Sequence, residues 1–157
     1  MFTLCAFLPL LLLTAVNGTP HRTPQNITSC LAAANVPQSL PGTTNFTAEI
    51  IPYNLRLPFT PVALAIPSTV AQVQAAVSCA ACLNITVSPR SGGHSFASHS
   101  LGGENGHLVV DMKLFNAVVL DNGTQTARIG PGARLGNVAI ELFGQGGRAI
   151  AAGVCPG

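Results

Sequence analysis

A glycine-rich segment at residues 89–95 combines residue types that could bind an anion. It reads Pro89, Arg90, Ser91, Gly92, Gly93, His94 and Ser95. Adjacent glycines allow backbone angles that point successive N–H groups into one concavity, and such nests bind anions, diphosphates in particular. Arg90 adds a positive charge, and the hydroxyls of Ser91 and Ser95 add hydrogen-bond donors. A surface turn with a solvated histidine fits the same composition, and the glycine spacing matches neither the Rossmann fingerprint nor the P-loop.

A second segment, near the end of the sequence, could carry a reactive thiol. Cys155 follows Gly153 and Val154 and precedes Pro156, where the chain leaves a predicted strand. A thiol in that position could face a ligand. An ordinary buried or disulfide-bonded cysteine fits the same pattern, so the residues alone leave both interpretations open.

The other cysteines favour disulfide pairing over metal or redox chemistry. Cys79 and Cys82 form a C-x-x-C pair, but no second pair follows at the spacing of a zinc site. A thioredoxin-like pair follows a strand and opens a helix, whereas this one ends a predicted helix. Cys5 lies in the leader segment described below. The four cysteines that remain belong to a chain with secretory features, and secreted cysteines usually pair.

The remaining titratable residues predict no catalytic set. His21 lies in an irregular stretch, and His99 and His107 lie in the glycine-rich loop, where we expect solvated side chains. Asp111 at a strand end and Glu141 on the polar face of a helix are expected to be structural. The sequence shows no paired carboxylates, no Ser-His-Asp arrangement and no metal-ligand cluster, so no metal site is predicted.

A strand–helix–strand unit is predicted immediately before the glycine-rich loop. Residues 62–66 form a short apolar strand closed by Pro67, and Ser68 can cap the helix that follows. This helix ends near Leu83, and its predicted apolar face contains Val70, Val73, Val77, Ala80 and Ala81. Residues 85–88 form the next strand. Two strands joined through a helix are expected to run parallel.

Further elements follow the loop, which extends to residue 106. They are a strand at residues 108–111, strands at 118–120 and 126–129, a helix at 135–143 and a last strand at 149–151. A tight turn at Asn122 and Gly123 is predicted to join the middle two strands as a hairpin. Gly144 is predicted to end the helix in a left-handed conformation. The predicted fold class is α+β.

The amino-terminal part of the chain has the features of a secreted protein. Residues 4–16 are apolar but too short to span a bilayer, and they fit a signal peptide cleaved after Gly18. This leader has no Lys or Arg, so a membrane anchor or a wrongly assigned start remains an alternative. Residues 19–57 are rich in Pro, Thr and Asn and are expected to form an irregular arm, helical only at residues 30–34. N-glycosylation triplets begin at Asn26, Asn45, Asn84 and Asn122.

The charge pattern excludes one class of partner. Only 8% of the residues are charged, the formal net charge is +2, and the basic residues form no stripe. A nucleic-acid-binding protein would be expected to carry such a stripe.

Three segments together resemble one protein family. Residues 90–95, 130–134 and 153–157 look like consecutive signatures of FAD-linked oxidases of the vanillyl-alcohol oxidase type, in the branch with berberine bridge enzyme. Residues 102–108 and 147–150 resemble, more narrowly, the fungal glucooligosaccharide and chitooligosaccharide oxidases. The resemblance extends from residue 30 to residue 157. Behind the expected signal peptide at 1–18 and the arm at 19–57, it implies at 58–157 the N-terminal portion of a PCMH-type FAD-binding domain.

The resemblance implies roles for individual residues. It implies that His94 bonds to the flavin 8α carbon and that Cys155 bonds through sulfur to flavin C6, so that FAD is held bicovalently. The implied cofactor-binding residues are Arg90, Ser91, Gly92, Gly93, His94, Ser95, Gly153, Val154 and Cys155. It also implies a Cys30–Cys79 disulfide, with Cys82 as a small buried residue. Phe96 stands where the family often has tyrosine.

The implied activity is the oxidation of an alcohol or a sugar anomeric carbon by FAD, with O₂ as acceptor and H₂O₂ as product. The expected partners are an oligosaccharide or another small alcohol and O₂, with no nucleic acid and no membrane after signal cleavage. The catalytic base is expected beyond residue 157, so the fragment alone is expected to be inactive. Alternatives are a berberine-bridge-like oxidoreductase of secondary metabolism and a truncated, inactive FAD-binding fragment.

Overall fold

A computed structural model of the chain describes residues 26–153. The proposed signal peptide, His21, Val154 and Cys155 lie outside the described residues. The helices are α1 (Ile27–Ala33), α2 (Phe46–Glu49), α3 (Val70–Cys82) and α4 (Leu135–Gly146), with a 3₁₀ turn at His99–Leu101. The strands are β1 (Gln38–Ser39), β2 (Ala63–Ala65), β3 (Val87–Arg90), β4 (Leu108–Asp111), β5 (Val118–Asp121) and β6 (Thr126–Ile129).

A four-stranded sheet of order β1-β2-β4-β3 forms the centre of the structure. Both β2 and β3 run parallel to β4, which lies between them. The predicted parallel arrangement is therefore confirmed, although the two strands are not neighbours. Every residue of β2 and β4 is buried, as expected for parallel strands covered on both faces. β3 starts two residues later than predicted and ends at Arg90, so the glycine-rich loop leaves the sheet at Ser91.

The two faces of this sheet have different coverings. Ala63 and Ala65 of β2 point into a core shared with α1 and α3, whereas Leu64 packs with Phe46 of α2 on the other face. This alternation follows from the two-residue period of a strand. The arm was predicted to be mostly irregular, but it supplies α1, β1 and α2, and its Ile27 and Leu31 are buried.

α3 begins one residue later than predicted. Thr69, not Ser68, is the N-cap, and its hydroxyl accepts a hydrogen bond of 3.2 Å from the Gln72 N–H. The Gln72 side-chain oxygen in turn accepts from the Ser68 N–H at 2.8 Å. Ser68 and Thr69 both carry a hydroxyl that could cap the helix. Thr69 is the N-cap because its hydroxyl reaches the N–H of Gln72, the third residue of the helix.

The buried face of α3 also differs from the prediction. Ala80 is buried as predicted, together with Ala76 and Cys79, whereas Val70 and Val77 are 65% and 44% exposed. Small side chains allow the helix to lie close to the sheet, and Cys79 ties this face to α1. The predicted spacing therefore identified the helix and one residue of its buried face, but it wrongly placed Val70 and Val77 on that face.

The implied Cys30–Cys79 disulfide is confirmed, with the two Cα atoms 5.8 Å apart. It joins α1 to α3 and closes a loop with a sequence separation of 49 residues. In the chain-entropy model a loop of this size contributes about 4 kcal/mol of stability. Cys82 is exposed and forms no disulfide within residues 26–153, so its predicted burial is wrong. It is the last residue of α3, beyond the stretch that packs on the sheet.

The β5–β6 hairpin and α4 pack together around Val118, Val138 and Leu142. The predicted tight turn at Asn122 and Gly123 is wrong, because the left-handed residue is Gln125, with φ of 56°. The longer loop is held instead by the Asp121 carboxylate, which accepts from the Gly123 and Thr124 N–H groups.

α4 is longer than predicted and ends differently. It continues through Gly144, and Gly147, with φ of 62°, is the left-handed cap. The predicted strand at residues 149–151 is absent, because no strand lies beside this segment within the described range. No helix in the described part of the chain is long and apolar enough to cross a membrane.

Candidate functional site

The glycine-rich loop lies at the carboxyl end of β3, beside the carboxyl end of β4. In open sheets with parallel strands, ligands bind at this edge. The loop faces an open cavity of about 330 Å³, lined also by Glu49, Tyr53, Lys113 and Arg134. The fold therefore brings together the predicted anion-binding loop and residues from three other parts of the chain.

The backbone of the loop has the properties of an anion nest. Gly93 has φ of 82°, a conformation that side-chain-bearing residues rarely adopt. A Cβ atom on Gly92 would lie 3.1 Å from both Arg134 Nη1 and His94 Nδ1, so a side chain there would crowd the cavity wall. Within residues 26–153, no backbone acceptor takes the N–H groups of Gly92, Gly93 and His94. These observations fit the binding of a diphosphate group.

Arg90 braces the base of the loop. Its Nη2 lies 2.5 Å from Asp111 Oδ2, and its Nη1 donates to the Glu49 carbonyl oxygen at 2.5 Å. The side chains of Arg90 and Asp111 are only 12% and 4% exposed. The Arg90 guanidinium, which the sequence suggested as a partner for a bound anion, is therefore already paired with Asp111. Asp111 has a structural role, as predicted.

The loop hydroxyls are also engaged within the protein. The Ser91 hydroxyl donates to the Pro131 carbonyl oxygen, which ties the loop to the turn before α4. The Ser95 hydroxyl accepts from the His99 N–H at 3.1 Å. The backbone N–H groups and the Ser95 O–H, but not the Ser91 hydroxyl, are therefore left to donate to an anion.

His94 lies at the cavity wall beside two exposed aromatic rings. The Tyr53 ring meets His94 edge-on at a centroid distance of 5.4 Å and meets Phe96 at 5.2 Å. Asn54 Nδ2 donates to the Phe96 carbonyl oxygen at 2.8 Å, which fastens the arm to this part of the loop. Sequence reasoning missed Tyr53, because nothing in the arm indicates that it folds back onto the loop.

Glu49 and Lys113 also line this cavity. Lys113 Nζ lies 3.0 Å from Glu49 Oε1, so this pair joins α2 to the residues that follow β4. Burial acts to raise the pKa of Glu49, but the Ser39 hydroxyl and the Lys113 and Arg90 cations outweigh burial and hold that pKa below its usual value of 4.5.

The lowered pKa of Glu49 predicts a pH-dependent contribution to stability. A folded-state pKa below the unfolded one gives stability that is fully present above about pH 4.5 and is lost as pH falls through the folded value. We therefore expect Glu49→Gln to flatten the fall of the melting temperature between about pH 6 and pH 3. Thermal melts of the wild-type and variant proteins measure this. Glu141→Gln, on the outer face of α4, is the control, and curves for Glu49→Gln that parallel the wild type would contradict the assignment.

Neither His99 nor His107 lines this cavity. His99 is exposed as predicted. The expectation for His107 is wrong: its side chain is 12% exposed and its Nε2 lies 2.9 Å from Glu104 Oε1. Its ring packs against Gly102, where an added Cβ would lie 2.6 Å from His107 Cγ. Among residues 26–153 no group of three His, Cys, Asp or Glu side chains could hold a metal ion.

Of the second predicted segment, the structure describes only Gly153, which is exposed. Val154 and Cys155 lie outside the described residues. Of the two residues predicted to bond to the flavin, the structure therefore describes only His94.

Curated relatives of the chain are FAD-linked and carbohydrate oxidases. A xylooligosaccharide oxidase of Thermothelomyces thermophilus is 47% identical over 89% of this chain. A chitooligosaccharide oxidase of Gibberella zeae is 48% identical over 83% of it, and an FAD-linked oxidoreductase of Metarhizium anisopliae is 49% identical over 82%. The chain spans only about a quarter of their lengths, at 28%, 26% and 25%.

Solved structures show the same likeness in three dimensions. The glucooligosaccharide oxidase of Acremonium strictum, described with a 6-S-cysteinyl, 8α-N1-histidyl FAD, matches 83% of this chain with a TM-score of 0.79 and 38% identity. The match covers 27% of that protein. Residues 61–155 match the family described as the FAD binding domain, which includes the loop, the turn before α4 and the Cys155 segment. The chain belongs to this family of FAD-binding domains, within the group that includes the fungal oligosaccharide oxidases.

Proposed function

We propose that the protein carrying this chain is a secreted FAD-dependent oxidase that acts on the anomeric carbon of an oligosaccharide. The substrate carbon loses a hydride and its hydroxyl loses a proton, which gives a lactone, and O₂ is reduced to H₂O₂. The observation that carries the proposal is the 47% and 48% identity to xylo- and chitooligosaccharide oxidases over more than four fifths of the chain. When bound, FAD supplies the two-electron acceptor for this oxidation.

The residues of this chain would bind and orient the cofactor. The N–H groups of Gly92, Gly93 and His94 would hold the diphosphate, and the Arg90–Asp111 pair would keep the loop in position. Both carboxylates at the cavity are held by cations, Glu49 by Lys113 and Asp111 by Arg90. We therefore place the base that takes the substrate hydroxyl proton outside residues 26–153.

His94 and Cys155 are proposed as two covalent attachment points for the flavin. Support comes from the position of the His94 ring on the cavity wall and from the doubly linked FAD of the A. strictum oxidase. Cys155 lies within the family match but outside the described residues. Attachment at two points would retain the cofactor in a secreted enzyme and leave room for an open substrate groove.

Secretion is part of the proposal. We divide the chain into a signal peptide at residues 1–18, an arm at 19–57 and the FAD-binding domain at 58–157. The Cys30–Cys79 disulfide suits an oxidising compartment. All four acceptor asparagines, Asn26, Asn45, Asn84 and Asn122, are exposed.

Retention of flavin after denaturation tests the covalent links. When the complete gene product is denatured and precipitated, we expect the yellow colour to remain with the polypeptide. His94→Ala and Cys155→Ala should each leave one link, and the double variant should release all flavin, because the reacting groups are then gone. The absorbance of pellet and supernatant measures the partition.

Cys82→Ala is the matched control, since this thiol is exposed at the end of α3. It should retain flavin as the wild type does. Complete release of flavin from the denatured wild-type protein would reject both covalent links and leave only non-covalent FAD binding.

A second candidate is an FAD-linked oxidoreductase that acts on a secondary metabolite. The 49% identity to the M. anisopliae FAD-linked oxidoreductase favours it. Release of H₂O₂ during incubation with a panel of xylo-, cello- and chitooligosaccharides separates the two. Turnover of any of these sugars supports the sugar oxidase, and inactivity of a flavin-loaded protein on all of them supports the second candidate.

A further inference from the structure

Three cationic side chains line the cavity, and they differ in their partners. Arg90 is paired with Asp111 at 2.5 Å, and Lys113 is paired with Glu49 at 3.0 Å. Arg134 makes no ion pair within residues 26–153; the one hydrogen bond of its guanidinium there runs from Nη1 to the Gly92 carbonyl oxygen, at 3.0 Å. Arg134 is exposed, so its positive charge faces solvent and is not neutralised by an acidic side chain in the described part of the chain.

The position of Arg134 is fixed by the turn that precedes α4. Residues 130–132 lie against the backbone that follows β4: a Cβ on Gly130 would lie 2.1 Å from the Phe115 carbonyl oxygen, and one on Gly132 would lie 2.1 Å from that of Met112. The Ser91 hydroxyl bonds to the Pro131 carbonyl and joins this turn to the glycine-rich loop. The guanidinium is thus placed beside the loop by contacts on both sides.

The chemistry of the guanidinium suits a phosphate. Arginine has five N–H donors in a planar fork that matches phosphate oxygens two at a time. One of these donors holds the Gly92 carbonyl, and the others remain available beside the N–H groups of Gly92, Gly93 and His94. Backbone donors and a cation then converge on one region of the cavity wall.

We infer that Arg134 is the side-chain cation that binds the diphosphate of FAD, the role that the sequence suggested for Arg90. Arg90 positions the loop, and Arg134 contacts the ligand. This inference rests on the proposed FAD binding and goes further by assigning the diphosphate contact to one residue outside the glycine-rich loop.

Reversible binding measurements test the inference. The complete gene product carrying His94→Ala and Cys155→Ala serves as the background, so that cofactor binding is at equilibrium. FAD and ADP are the probes, since ADP carries the diphosphate without the flavin ring. Loss of a charge-assisted contact should raise the Kd of both probes roughly 10- to 100-fold in Arg134→Met and weaken the salt dependence of binding. Arg134→Lys should recover part of the affinity, because it keeps the charge but loses the fork.

Arg128→Met is the matched control, because Arg128 is exposed on β6 and does not line the cavity. It should leave both Kd values unchanged. A loss of FAD affinity without a loss of ADP affinity would place Arg134 at the flavin half and overturn the inference, as would unchanged binding in Arg134→Met. Absence of bound flavin from the wild-type gene product would instead reject the proposed function, and the inference with it. Melting temperatures of the variants show whether a lost affinity reflects lost folding.

Discussion

Replacement of Arg90 by methionine should destabilise the folded protein by about 3–5 kcal/mol, because it leaves the Asp111 carboxylate buried without its partner. Asp111 is 4% exposed, and Arg90 also holds the Glu49 carbonyl oxygen. Lys113 Nζ, 3.9 Å from Asp111 Oδ2, is then the one cation near this carboxylate in the described part of the chain, and from that distance it offsets little of the desolvation cost. Denaturant unfolding of the complete gene product measures the loss.

Two further variants show whether the effect of Arg90→Met comes from the buried ion pair. Lys113→Met removes the same charge from a side chain that is 42% exposed, that pairs with Glu49 at 3.0 Å and that lies farther from Asp111, at 3.9 Å; it should cost no more than about 1 kcal/mol. Asp111→Leu added to Arg90→Met removes the unpaired carboxylate and should recover part of the stability. If Arg90→Met and Lys113→Met cost the same, the buried pair is not the brace described above.

Gly132→Ala should also cost about 3 kcal/mol or more and should reduce flavin loading. The added Cβ would lie 2.1 Å from the Met112 carbonyl oxygen, so the turn or the chain that follows β4 must move. Because this turn positions Arg134, the shift would reach the cavity. Denaturant unfolding and the ratio of flavin to protein absorbance measure the two effects.

Gly144→Ala is the matched control for Gly132→Ala. It lies inside α4, and an added Cβ would meet nothing within 4 Å. Alanine favours a helix over glycine by about 1 kcal/mol, so this variant should be slightly more stable than the wild type. Equal losses for the two substitutions would contradict the close approach of the turn to the chain that follows β4.

Local patterns in the sequence predicted the elements that form the central sheet. The apolar runs predicted as strands form β2 and β4, and every residue of these two strands is buried. The apolar spacing that predicted a helix corresponds to α3, at residues 70–82. The glycine pair in the loop predicted an anion nest, and the resemblance to FAD-linked oxidases implied both the family and the disulfide. These features depend on neighbours in sequence or on shared ancestry.

The details of the site depend on contacts between distant residues. Arg90 bonds to Asp111, 21 residues away in the sequence, and to the Glu49 carbonyl oxygen, 41 residues away. The composition of the loop therefore could not predict that Arg90 is paired. Tyr53 reaches the loop from the arm for the same reason. Val70 and Val77 were wrongly placed on the buried face of α3, because the helix packs on the sheet through smaller side chains such as Ala76 and Ala80.

The arm also determines how one edge of the sheet meets other molecules. In the described part of the chain, β1 is the edge strand and consists of only Gln38 and Ser39, paired antiparallel with β2. The Ile66 N–H, just beyond β2, is taken by the Pro37 carbonyl, and Pro41 follows two residues after β1. Proline has no N–H to offer to another strand, and a two-residue edge presents few free backbone groups. The apolar strand β2 is thereby shielded from strand exchange and edge-to-edge aggregation by the same segment that carries α2 and Glu49 to the cavity.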